Sequence, residues 1–200
     1  DLWTFLVVAT GMFLIAFMKG AFGGGFAIIG IPLLSLVLDP LTAGVLLAPM
    51  FLVMDAFAFR YWTPSTWSRP DITLLAPAAF LGIVGGYFLL TVMSPAVVKI
   101  IMALITLVFT ALWFTGGGKP AAEPRQASKA YICGAAAGVT SMIAHAGGPP
   151  LAMYLLPLGL AKEIYAGTTS LFFTLGNVVK IGPWLMLQPP DRMVLTLMAL

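Results

Sequence analysis

Charge is what this chain has least of. Only 8 % of its 200 residues are Asp, Glu, Lys or Arg, against 60 % hydrophobic residues. A soluble domain carries about a quarter charged residues, so this chain could not cover a water-facing surface. Cysteine and histidine are nearly absent as well. The one cysteine, Cys133, excludes an intrachain disulfide or a thiolate metal centre and reads as a packed thiol. The one histidine, His145, has no convergent ligands in sequence, so no metal site is expected. The ten Lys and Arg residues form no basic run, which argues against a nucleic-acid partner. Nucleophile elbow, His-Glu-x-x-His and P-loop are all missing, and the glycines at 23–25 lack the preceding strand of a dinucleotide fold. Without a catalytic set, an enzyme is not expected, and neither is a cofactor.

What the chain has instead is long apolar sequence, with a mean hydropathy of +1.04. The runs cover residues 2–38, 41–60, 72–92, 96–114, 130–160 and 164–187, and another starts near Met193. A membrane-crossing helix needs about 20 apolar residues. The middle runs fit one span apiece. The first and fifth are too long for one span, and each is interrupted, at 19–25 by Lys-Gly-Ala-Phe-Gly-Gly-Gly and at 145–150 by His-Ala-Gly-Gly-Pro-Pro. The expected fold is therefore an all-α polytopic transmembrane helical bundle in a lipid bilayer. It has two related halves, each beginning with a Gly/Pro-broken helix: residues 1–115, a cytoplasmic loop at 116–129, and a truncated half at 130–200. Asp1 and Leu200 both stand in hydrophobic sequence, so both ends read as cut.

The halves align by position. Gly23-Gly24 falls opposite Gly147-Gly148 at an offset of 124 residues, and Ala43-Gly44 opposite Ala166-Gly167 at 123. If each broken run crosses the membrane, the repeats are parallel. If each is a hairpin that returns to its own side, they are inverted, as in many transporters with broken helices. Arg60 and Arg69 flank one loop; Lys119, Arg125 and Lys129 lie in another. By the positive-inside rule both are cytoplasmic. Trp62, Trp67, Trp113 and Trp184 lie near run ends, where an aromatic belt is expected.

Chemistry can reside only in the few polar residues inside apolar sequence. A break at Gly23, Gly24 and Gly25 exposes backbone N–H groups at a half-helix start, which favours an anion. Gly147 and Gly148 repeat the arrangement; the plain alternative is close helix packing through small residues. Lys19, Asp55, His145 and Lys180 are ionisable groups in apolar runs and need a partner or a wet cavity. Lys180 stands about seven residues, or roughly 10 Å, from its run's end, so snorkelling is the alternative. For Lys99, near a run end, snorkelling is the expectation. Asp55 reads either as part of the site or as a lysine's counter-charge. Ser170, Thr174, Asn177 and Lys180 recur at helical spacing after Thr168 and Thr169, forming a polar stripe. Hydroxyl, amide and ammonium groups on one face suit the oxygens of a sulfonate, sulfite or carboxylate; interhelical hydrogen bonding is the alternative.

Residues 19–34, Lys-Gly-Ala-Phe-Gly-Gly-Gly-Phe-Ala-Ile-Ile-Gly-Ile-Pro-Leu-Leu, resemble the first signature of the sulfite exporter TauE/SafE family. Residues 141–157, Ser-Met-Ile-Ala-His-Ala-Gly-Gly-Pro-Pro-Leu-Ala-Met-Tyr-Leu-Leu-Pro, resemble the second. Gly-Thr-Thr at 167–169 and Asn177-Val-Val-Lys180 are similar to the family's sequence after that second signature. Gly-Gly-Pro-Pro stands where other members carry a longer glycine run. The resemblance implies a secondary transporter of the bacterial inner membrane that moves sulfite, organosulfonates or related anions. The expected partners are a small anionic substrate and lipid, and a homo-oligomer stays open. An anion channel or a non-transporting structural membrane subunit is the competing expectation.

Overall fold

Proline and acidic caps set where the helices begin. Asp39 precedes Pro40, and its Oδ1 accepts from the N–H of Leu41 at 3.1 Å and of Thr42 at 3.0 Å. The Thr42 hydroxyl donates to the other carboxylate oxygen. Partial burial works against ionisation here, but these bonds outweigh it and hold the Asp39 carboxyl below its ordinary value. Proline likewise opens the helices that start at Arg69 and Gly148, where a missing N–H costs nothing.

The computed structural model describes residues 2–22, 33–94, 124–198 and helical positions 96, 97, 100, 101, 103, 104, 107, 108 and 111. Gly23, Gly24, Gly25, Lys99, Trp113 and loop residues 116–123 lie outside the described residues. Among the described residues the protein is helical and has no strand: α1 (Leu2–Phe22), α2 (Pro40–Ala58), α3 (Arg69–Val92), α4 (Ala127–Ala144), α5 (Gly148–Leu155), α6 (Lys162–Leu187) and α7 (Arg192–Met198). By length and composition, α1 to Ala21, α2, α3 and α6 can each cross a membrane. Phe13, Phe17, Phe88, Ile132, Val178 and Met186 point outward, as lipid permits and water would not.

The contacts fix which helix ends lie together. The Ser68 N–H donates to Thr168 Oγ1 at 2.8 Å, and Arg125 Nε reaches Asp71 Oδ1 at 3.0 Å. The starts of α3, α4 and α6 therefore share one end. The opposite end holds Thr42, whose Oγ1 accepts from Gln188 Nε2 at 2.9 Å. Helices α3 and α4 touch through backbone. A Cβ on Gly82 would lie 2.1 Å from the Ala135 carbonyl oxygen, and one on Gly138 2.2 Å from that of Ala79.

Chain reversals complete the frame. Helix α4 ends at Ala144, α5 starts at Gly148, and Tyr154 Oη donates to Asp71 Oδ1 at 2.9 Å. The broken arm α4–α5 is thus a hairpin that returns to its own end. Leu33 and Leu34 pack on Gly11 of α1 before the chain reaches Asp39, at the opposite end. Lys19 does not sit in a break as expected. Helix α1 continues to Phe22, because Lys19-Gly-Ala-Phe interrupts the helix with only one glycine.

Candidate functional site

Polar groups from α1, α2, α4 and α6 converge inside the bundle. Lys19 Nζ lies 2.6 Å from Asp55 Oδ1. Asn177 Nδ2 donates to Asp55 Oδ2 at 2.8 Å. The carboxylate is 1 % exposed, and both of its oxygens are engaged. One helical turn beyond Asn177, Lys180 is 2 % exposed. Its Nζ lies 2.9 Å from Ser141 Oγ, 3.4 Å from the Ser141 carbonyl and 3.0 Å from His145 Nδ1. The snorkelling alternative fails for Lys180: the side chain turns inward to α4 rather than along α6 to its end.

His145 is held from all sides. It stands at φ 50°, the left-handed region, the only non-glycine residue to do so among those described. That conformation ends α4 and costs an ordinary residue about 1–2 kcal/mol. Its Nε2 lies 3.3 Å from the Gly44 carbonyl, which can only accept. The proton therefore belongs on Nε2, leaving the Nδ1 lone pair toward Lys180. The ring stacks on Trp184 at 5.3 Å and 18° and tilts against Phe51 at 5.0 Å. Gly44 makes room for this: a Cβ there would lie 2.2 Å from the Trp184 ring. Trp184 is fully buried rather than part of an aromatic belt, and its Nε1 finds no acceptor among the described residues. Phe51 joins the two lysines, with Lys19 Nζ 4.9 Å and Lys180 Nζ 5.8 Å from its ring centre.

The charge count follows from this geometry. Lys19 and Lys180 stand against one carboxylate, Asp55, which Lys19 and Asn177 already occupy. Lys180 has only neutral partners among the described residues. Beyond the break that follows His145, the N–H groups of Gly147 and Gly148 open α5, while Pro149 and Pro150 contribute none. Gly147 is itself wedged between Ala137 and Phe173.

The polar stripe of α6 divides. Asn177 and Lys180 enter the cluster. Thr174 Oγ1 donates within its own helix to the Ser170 carbonyl at 2.9 Å. Thr168 accepts from Ser68, and so fastens the 63–68 segment to α6. Thr169 and Ser170 are buried, and Ser170 Oγ finds no partner among the described residues. Nothing in sequence pointed to a place for Ser141, Gly44, Phe51 or Trp184 in this cluster: Gly44 was read only as a repeat position, Trp184 as a belt residue and Ser141 as part of the second signature. Their roles arise from contacts 35 to 101 residues apart, such as Lys180 to His145 and His145 to Gly44.

Fold and site together define a multi-pass helical membrane protein with a buried, cation-rich polar centre at a broken helix. The chain belongs to the sulfite exporter TauE/SafE family, whose family model matches residues 8–200. It is thereby a membrane transporter of the class that handles sulfur-containing anions. Comparison with curated proteins and with solved structures gives no match.

Proposed function

We propose that the protein is a secondary transporter carrying a small anion, such as sulfite, an organosulfonate or a related carboxylate, across the bacterial inner membrane. The observation that carries this reading is a buried lysine with no carboxylate of its own: in this centre, among the described residues, Lys19 and Asn177 occupy Asp55, and Lys180 meets only neutral groups. An uncompensated charge at membrane depth is costly, and an anion is its natural complement. The reading places the anion between Lys180, His145, the N–H groups of Gly147 and Gly148, and the unspent Trp184 Nε1. Thr168, Thr169, Ser170 and Thr174 then serve to shape α6 more than to touch the ligand.

We read the two halves as inverted, an arrangement that suits alternating access around such a centre. The α4–α5 hairpin returns to its own end. Gly44 receives Trp184, and Gly167, its counterpart at the offset of 123, receives Thr66. Helices α2 and α6 meet through Asp55 and Asn177.

The test is thermal stabilisation of purified protein by sulfite and by methanesulfonate, since a bound ligand stabilises by mass action. A hydrogen bond to a charged group is worth about 1.5–3 kcal/mol, so Lys180→Met should weaken binding by roughly 10- to 150-fold. Lys162→Met, at the exposed start of α6, should leave it unchanged. Equal binding by the two variants would refute the site. Counterflow in proteoliposomes separates a carrier, which exchanges labelled anion against a gradient, from a channel, which dissipates it.

A further inference from the structure

We infer that the anion binds together with one proton, carried on Lys180 Nζ, so that the unit moved through the membrane is a neutral ion pair. This rests on the binding reading above and adds its coupling.

The partners of Lys180 carry the argument. They are a hydroxyl, a carbonyl oxygen and an imidazole nitrogen: Ser141 Oγ at 2.9 Å, the Ser141 carbonyl at 3.4 Å and His145 Nδ1 at 3.0 Å. A neutral amine has two N–H donors and one lone pair. It can donate to His145 Nδ1 and to the Ser141 carbonyl while accepting from the Ser141 hydroxyl, which rotates freely to donate. The same three partners can all accept from an ammonium. The pocket thus satisfies either form without moving a side chain.

Lys19 differs. Its partner is a carboxylate at 2.6 Å, and removing its proton would strand Asp55 as a buried anion. The charged or titratable groups facing Lys180 are Lys19 from α1, Asp55 from α2 and His145 from α4. Lys19 and Asp55 cancel each other. The Gly44 carbonyl accepts from His145 Nε2 and so sets the tautomer, leaving the Nδ1 lone pair toward Lys180, and a proton shared across that 3.0 Å contact rests on the amine, the more basic of the two groups. With the site empty, a proton on Lys180 would be a lone charge in a low-dielectric core. With an anion present, the proton from solvent water completes an ion pair: amine, proton and anion combine to ammonium and anion, with no other bond broken. Leaving, the anion releases the proton to water on the side where it exits. A neutral pair also crosses without work against the membrane potential.

The experiment is calorimetric titration of the purified full chain with methanesulfonate, at about pH 8 in two buffers of different ionisation enthalpy. Methanesulfonate does not itself titrate near neutrality, so any proton taken up belongs to the protein. Wild type should take up close to one proton per anion, and its affinity should fall about tenfold per pH unit on the alkaline side. Lys180→Arg, which cannot lose its proton, should bind without proton uptake and without that pH dependence. Binding by wild type with no proton uptake overturns the coupling and leaves the anion site standing. Proton uptake that persists in Lys180→Arg also overturns it, since the proton then loads elsewhere. If wild type binds neither methanesulfonate nor sulfite, the site reading itself falls, and the coupling with it. Should the arginine variant not fold, absence of proton uptake by wild type still overturns the proposal.

Discussion

Asp55 is the residue on which the centre's charge arrangement turns, because one carboxylate holds a lysine from α1 and an amide from α6. Removing one partner of a buried pair typically costs about 3–5 kcal/mol, since the other charge is left uncompensated. Asp55→Asn should therefore lower the melting temperature sharply in detergent. Replacing both partners with apolar residues, Lys19→Met with Asp55→Leu, should cost less than the sum of the single changes. Additive losses in that cycle would mean that Lys19 and Asp55 stabilise the fold independently. His145 shows the same logic in its backbone: a strained left-handed residue persists where several contacts over-determine it.

At the scale of elements, the closest packing is between α3 and α4, and it is made by missing side chains. Gly82 and Gly86 on α3, and Gly134 and Gly138 on α4, are spaced four apart, so each pair lies on one helix face. A Cβ at Gly138 would meet the Ala79 carbonyl at 2.2 Å, and one at Gly134 the Leu75 carbonyl at 2.8 Å. Backbone cannot yield as a side-chain tip can. Gly138→Val should cost at least the roughly 1–3 kcal/mol of ordinary overpacking. Gly85→Ala, where the added methyl meets nothing within 4 Å, should be neutral or stabilising. Comparing the two melting temperatures checks this; equal losses would show that α3 and α4 do not pack through these glycines. The interface matters to the centre because α4 carries Ser141 and His145.

For the molecule as a whole, orientation is the open physical variable, and the positive-inside rule commits it. The starts of α3, α4 and α6 share the end that carries Arg60, Arg69, Arg125 and Lys129, so that end is expected to face the cytoplasm. Single cysteines at the exposed positions Ser65 and Ser128, in a Cys133→Ala background, should resist an impermeant thiol reagent added outside intact cells. Ser94→Cys, past the far end of α3, should react. The reverse pattern would invert the assignment. The same end is tied together by Asp71, which accepts from Arg125 and Tyr154 and also from the Ser68 hydroxyl. Helix α3, the returning hairpin arm and the interhelical loop are thus held as one body.

Hydrophobic run length and the scarcity of charge determine by themselves that the chain lives in lipid and which segments are long enough to cross it. An apolar stretch of span length has no stable alternative in water. The break expected at 145–150 was legible for the same local reason, glycine and proline in an otherwise helical run, although Gly148, Pro149 and Pro150 already belong to α5. Lys180 and Asn177 could be named from their shared face on α6. The sequence pattern did not fix what they meet. Whether Lys180 snorkels or turns inward, whether Trp184 belongs to an aromatic belt or to the core, and whether the broken arm crosses or returns each depend on contacts between distant segments. Ser141 meets Lys180 across 39 residues and Gly44 meets His145 across 101. Such contacts follow from how helices pack, which is set by the summed shape of many side chains, and no periodicity within one helix encodes it.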